Sequence, residues 1–140
     1  MSSAIKAFFQ DFEHNSNLSE TGAVISQFAE MFLVAGPQGA QVVPANAFAL
    51  ALPRRKKQFE EMGCQSTDLI SLRETTLGNH YVMAETEWQM TFVQGEKSPE
   101  EIRVASTFII YTGDEQPKIV FYLRQHDVMA LLKNRRVGAS

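Results

Sequence analysis

Between Tyr81 and Asp127 the chain carries three runs in which apolar side chains recur at every second position. In the first, Val82, Ala84, Thr86, Trp88, Met90 and Phe92 alternate with Met83, Glu85, Glu87, Gln89 and Thr91. In the second, Ile102, Val104, Ser106, Phe108 and Ile110 alternate with Arg103, Ala105, Thr107, Ile109 and Tyr111. The third sets Ile119, Phe121 and Leu123 against Val120, Tyr122 and Arg124. A period of two belongs to strands, whose successive side chains point to opposite faces. Polar breaks separate the runs, so the stretch reads as consecutive strands of one antiparallel sheet. A slip of one residue would turn every side chain over, so the apolar sets must face one another. Placing Trp88 opposite Phe108, and Phe108 opposite Phe121, gives an aromatic row across the covered, concave face. Ile109, Tyr111, Val120 and Tyr122 then fall on the outer face. A face that apolar is more than a monomer usually leaves in water, and a second copy packed sheet on sheet by two-fold symmetry would cover it.

The upstream half supplies the cover. From Ala4 to His14, residues Ile5, Phe8, Phe9 and Phe12 recur at helical spacing, with charged and amide side chains between them. Asn17 and Glu20 have the spacing of a capping box, which starts a second helix running to about Met31 on the stripe Val24, Ile25, Phe28, Met31 and Phe32. Phe32 to Val43 is a hairpin around Gly36-Pro37-Gln38-Gly39. A phosphate loop there lacks the following Gly-Lys-Ser/Thr. Pro44 to Gly63 is helical in two pieces, because Pro53 fits the start of a helix better than its interior. Gly63 ends the second piece. Gln65 to Leu77 reads as a strand, with Gly78-Asn79 as its turn. Asp127 caps a last helix containing Val128, Met129, Leu131 and Leu132.

Helices first and long strands later make an α+β fold with helices on one face of the sheet. With 140 residues the chain forms a single domain, 1–140, large enough to need no staple. A net charge of −3 gives no broad basic field for nucleic acid. No apolar run approaches a membrane span, and the N-terminus lacks the basic and apolar segments of a signal peptide. Cys64 is alone, so no internal disulfide can form, in keeping with a cytoplasmic protein.

The chain resembles the nuclear transport factor 2-like superfamily, which includes the SnoaL-like polyketide cyclases and ketosteroid isomerases. The resemblance covers nearly the whole chain. It rests on the paired N-terminal helices, the hairpin FLVAGPQGAQVV, the helix ALPRRKKQFEEMG, and the strands ending in TEWQMTF, VASTFIIY and IVFYLRQHDV. It implies a cystatin-like cone, a curved antiparallel sheet wrapped by helices around an internal pocket, and a homodimer. These are patterns of fold, not catalytic signatures, and speak less to activity.

Two functions remain open at this level. In the first, Trp88, Met90, Phe108 and Phe121 line the cone and hold a small apolar or partly polar molecule, with Ser106 or Thr86 supplying a directional hydrogen bond. The second is a small isomerase, cyclase or dehydratase, such as the resemblance implies. Its members raise a carboxyl pKa by placing it in an apolar pocket. The inward sets of the last three strands hold no carboxylate, and Glu85 and Glu87 fall outward. Asp68 and Glu74 are then the candidate bases, and a tyrosine or His126 the candidate acid. The basic run Arg54 to Lys57 is either a solvated turn paired with Glu60 and Glu61 or an anion contact near the pocket mouth. Cys64 follows a helix C-terminus, whose dipole raises a thiol pKa and disfavours a nucleophile. No histidines or cysteines stand at metal-ligand spacing, and no cofactor is expected.

Overall fold

The computed structural model describes residues 3–17, 21–126 and 128–138. Six strands, β1 (Phe28–Gly36), β2 (Gly39–Pro44), β3 (Cys64–Leu77), β4 (Tyr81–Phe92), β5 (Glu100–Tyr111) and β6 (Lys118–Arg124), form one curved, unclosed sheet in the order β2-β1-β6-β5-β4-β3. Neighbours are antiparallel except β1 and β6, which run parallel where the N-terminal hairpin joins the later strands. Helices α1 (Ser3–Asn17), α2 (Thr21–Ile25), α3 (Ala45–Glu61) and α4 (Val128–Gly138) complete the described chain.

The alternation in β4 and β5 is realised without a break, from Tyr81 opposite Tyr111 to Phe92 opposite Glu100. Ala84, Thr86, Trp88, Met90 and Phe92 are buried, as are Ile102, Ser106, Phe108 and Ile110. The pairing is offset by four residues from the expected one: Trp88 faces Val104, and Phe108 faces Ala84. An even offset preserves the faces, so the core forms although the aromatic row does not. In place of that row, α1 supplies the aromatic contacts. Phe9 packs 5.0 Å from Phe108, and Phe12 lies 5.6 Å from Phe108 and 5.9 Å from Trp88. A second cluster at the other end joins Met90, Phe92 and Ile102 to Val128 and Leu132 of α4.

In β6 the expected faces are overturned. Ile110 pairs with Ile119 and Ile109 with Phe121, which leaves Val120 as an extra residue in a bulge. A bulge of one residue inverts the alternation beyond it. Tyr122 therefore stands opposite Phe108 on the inner face, its ring stacked at 4.8 Å and 3°. Phe121 points with Ile109 to the outer face. The expected inner position of Phe121 and outer position of Tyr122 are thus exchanged, and Val120 has no register partner on β5.

Two helix expectations also change. The second helix is only α2, and Phe28, Met31 and Phe32 belong to β1. Val24, Phe28 and Phe32 have the spacing of a helix stripe, but Phe32 and Val34 also alternate, and pairing with β2 and β6 decides for the strand. Glu20 lies outside the described residues, so the capping box is not described. Asn17, at the end of α1, clamps β3 instead: its Nδ2 donates to the Thr67 carbonyl at 2.9 Å and its Oδ1 accepts from the Thr67 amide at 2.8 Å. The Asp127 cap likewise falls outside the described residues. Second, α3 runs unbroken through Pro53. That proline is exposed, so its ring disturbs no packed surface.

Gly63 fixes how α3 enters the sheet. Its φ is 93°, and a Cβ there would lie 2.2 Å from the Val93 carbonyl oxygen. The Gly63 carbonyl accepts from the Val93 amide at 2.8 Å, which ties the helix end to the end of β4.

Candidate functional site

The inner face of α3 packs on the sheet only in part, with Phe48 against Phe28 and Phe32 and Phe59 near Phe92. Phe48, Leu52, Arg55 and Phe59 recur at helical spacing on that side, yet none of the 17 residues of α3 is fully buried. Beneath them lies a cavity of about 270 Å³. Its buried end is aromatic and apolar. Phe12, Phe28, Trp88, Phe108 and Tyr122 line it, brought together from α1, β1, β4, β5 and β6.

The Trp88 and Thr86 side chains at that end are tied to one another and to the wall. Trp88 Nε1 donates to Thr86 Oγ1 at 2.7 Å, and Thr86 Oγ1 donates to the Ser106 carbonyl at 2.8 Å. Thr86, expected as a directional contact, is therefore spent inside the wall. Such a wall selects by shape and apolar area.

The other end differs in chemistry. Arg55, Lys56, Glu60, Cys64, Arg124 and His126 lie around it. Arg124 stands opposite Ser106 and is carried inward by the same bulge that turns Tyr122; its guanidinium carbon lies 5.9 Å from the Tyr122 ring centroid. The Arg55 guanidinium carbon is 5.4 Å from the Phe59 ring centroid. Lys56 Nζ donates to the Ser16 carbonyl, closing α3 onto the end of α1. Burial pushes the Cys64 thiol pKa up; a Thr67 hydrogen bond and the Lys56 charge oppose the shift without cancelling it. The direction matches the sequence expectation, but the leading cause is desolvation.

Of the expected pocket residues, Trp88, Met90, Ser106 and Phe108 line the cavity, and Phe121 does not. Of the expected acids and bases, His126 lines its mouth and is exposed. Asp68 pairs with Gln89 on the outer face and accepts a hydrogen bond from Ser66 Oγ at 3.1 Å. Glu74 pairs with Ala84 on the inner face but is not among the lining residues. Glu85 and Glu87 face outward beside Arg73 and Arg103, at 3.8 and 2.8 Å. Tyr122, Arg124 and Arg55 are the lining residues that alternation missed or left open. The first two follow the bulge, and sequence carries no signal for its position. Among the described residues no three histidine, cysteine, aspartate or glutamate side chains gather as a metal site.

By sequence, the chain matches no family model and no curated protein. By structure it is similar to an NTF-2-like protein of unknown function from Shewanella oneidensis, with a TM-score of 0.73 at 12% identity over 89% of this chain and 98% of that one. It is similar to ActVI-ORFA from Streptomyces coelicolor, with a TM-score of 0.74 at 12% identity over 90% and 97% of the two chains. A putative scytalone dehydratase from Novosphingobium aromaticivorans gives 0.68 at 12% identity over 86% and 80%. The fold is therefore the nuclear transport factor 2-like, cystatin-like one. Among the described residues no helix is long and apolar enough to cross a membrane.

Proposed function

We propose that this chain binds a small apolar or partly polar molecule in the cavity beneath α3. The observation that carries the reading is that helix's inner stripe, whose aromatic and leucine side chains stay half-buried over an aromatic-lined space. Filling that space would complete the burial, at about 25 cal/mol for each Å² of apolar surface removed from water. Native mass spectrometry of gently purified protein tests the reading: a bound mass of a few hundred daltons, lost on denaturation, is expected. Bare protein together with no response to any apolar probe would refute it.

A second reading has one specific support. Tyr122 presents a phenol to the cavity with Arg124 beside it, and His126 stands at the mouth. Those groups suit the acid of an isomerase, cyclase or dehydratase, and one structural neighbour carries the name of a putative dehydratase. The base is the weaker half of this reading. Asp68 and Glu74 are off the cavity, and Glu60 is the one carboxylate among the described lining residues, at its exposed rim.

We also propose that the outer sheet face is covered by a second copy. Val42, Leu33, Phe121, Ile109 and Met83 pair in sequence across β2, β1, β6, β5 and β4 on that face. Tyr111 belongs to the same face, whereas Tyr122 does not. Sedimentation should give a dimer, and Ile109→Glu should dissociate it; a monomer at all concentrations would remove this proposal.

A further inference from the structure

One row of side chains crosses the inner face of the sheet from Thr86 on β4, through Ser106 on β5, to Arg124 on β6. Its members differ in what they have left to offer a ligand. Thr86 Oγ1 is fully engaged, since it accepts from Trp88 and donates to the Ser106 carbonyl. Arg124 already has a partner. Ser106 is the exception. It is 7% exposed and lines the cavity, yet among the described residues its Oγ makes no hydrogen bond, because Thr86 uses its carbonyl and not its hydroxyl.

The direction of that hydroxyl follows from the strand. Ile102, Ser106, Phe108 and Ile110 are buried from one face of β5, and the unbroken pairing with β4 holds them there. Phe108 follows two residues along, with Tyr122 stacked on it, so the hydroxyl sits beside the aromatic end. Among the described residues the sealed side-chain polar atom without a partner is Gln27 Oε1, which does not line the cavity. The Ser106 Oγ is not sealed in that way and opens onto cavity space. A hydroxyl so deeply placed carries a desolvation cost that a bound acceptor recovers. Alanine would line a purely apolar cavity without that cost.

We propose that Ser106 is the specificity-determining residue of the cavity, and that its hydroxyl donates to one uncharged oxygen, a carbonyl or a hydroxyl, on an otherwise apolar ligand. This deepens the binding reading above and rests on it. An uncharged oxygen fits because the group offered is itself uncharged. A serine hydroxyl replaces the hydrogen bond that water gives a ketone or an alcohol, but not the hydration of a carboxylate or an ammonium group.

Indane, 1-indanone and 1-indanol share one bicyclic body and differ by a single oxygen. Each is titrated calorimetrically into the full chain and into Ser106→Ala, which removes the hydroxyl and adds no bulk. Ser106→Ala should weaken at least one oxygenated probe about tenfold, as loss of a buried hydrogen bond requires, and leave indane within about twofold. The probe with the larger loss names the oxygen as carbonyl or hydroxyl. Where the ketone is the weakened probe, its ¹³C-labelled carbonyl should absorb at lower frequency when bound than in a hydrocarbon solvent. Ser106→Ala should return that frequency to the hydrocarbon value, a change that a merely structural role would not produce. Equal losses for all three probes would overturn the subsite, as would losses below about twofold for both oxygenated ones. Either result leaves the binding function standing, since indane still binds the unsubstituted protein. Failure of all three probes to bind that protein would overturn the subsite together with the reading beneath it.

Discussion

The two ends of the cavity are built on different principles. At the inner end, aromatic rings from α1, β1, β4, β5 and β6 close around Phe108, and the hydrogen-bonding groups of Trp88 and Thr86 satisfy one another. At the mouth, arginines resting on Phe59 and Tyr122 face a space with a single carboxylate among the described residues. The inner end discriminates mainly size and shape, because the Trp88 and Thr86 donors are already spent. The mouth is polar and charged. One structure thus divides two tasks, with the sheet core holding the shape and α3 with the end of β6 presenting the charge.

The largest effect that would break this contrast is at the inner end. Phe108 is 1% exposed and touches Phe9, Phe12 and Tyr122, so Phe108→Ala should cost about 3–5 kcal/mol in denaturant unfolding. A loss below about 1 kcal/mol would mean that the ring is not a core element. Next is the join that carries the mouth. Gly63→Ala forces a Cβ against Val93 at positive φ and should cost about 2 kcal/mol or more, read in the same way. An unaffected midpoint would contradict the path of α3 into the sheet.

A smaller effect tests the inverted alternation of β6. Tyr122→Leu should weaken binding of an apolar probe such as 1-octanol, read from Trp88 fluorescence, by roughly fivefold, the size of one lost aromatic contact, whereas Phe121→Ser should leave it within about twofold. The opposite ranking would restore the unbulged strand. The smallest effect concerns Cys64. A raised thiol pKa means less thiolate at a given pH, so its iodoacetamide alkylation at pH 8 should be slower than that of a free cysteine and should climb at higher pH. Alkylation as fast as a model thiol at pH 8 would place Cys64 outside the buried wall.

β4 and β5 were legible in the sequence because their faces differ strongly and no bulge interrupts their pairing. Burial at Ala84, Thr86, Trp88, Met90 and Phe92 follows from alternation alone, since one face must leave water. Which strand residue stands opposite which was not legible, because a shift of four residues keeps every face and changes only the neighbours. β6 was misread for a different reason. Both of its residue sets are apolar enough to be inner, so nothing local decides between Phe121 and Tyr122. The parallel pairing with β1, at Leu33 opposite Phe121 and Val34 opposite Tyr122, accords with the inverted faces. β1 was itself hidden, because Phe28 and Phe32 suit a helix as well as a strand. The β4 and β5 wall of the inner end was therefore readable, whereas Phe28 and Tyr122 at the same end were not. The mouth was not, since it depends on the Val120 bulge and on an α3 that Pro53 does not break.

The proposed function requires that an apolar small molecule lie in this cavity against its aromatic inner end. Isotope-filtered nuclear Overhauser measurements on ¹³C-labelled 1-octanol bound to the protein test that placement directly. The terminal methyl group should show contacts to the Trp88 and Phe108 rings. Contacts confined to the outer sheet face, at Ile109 and Tyr111, would contradict the account.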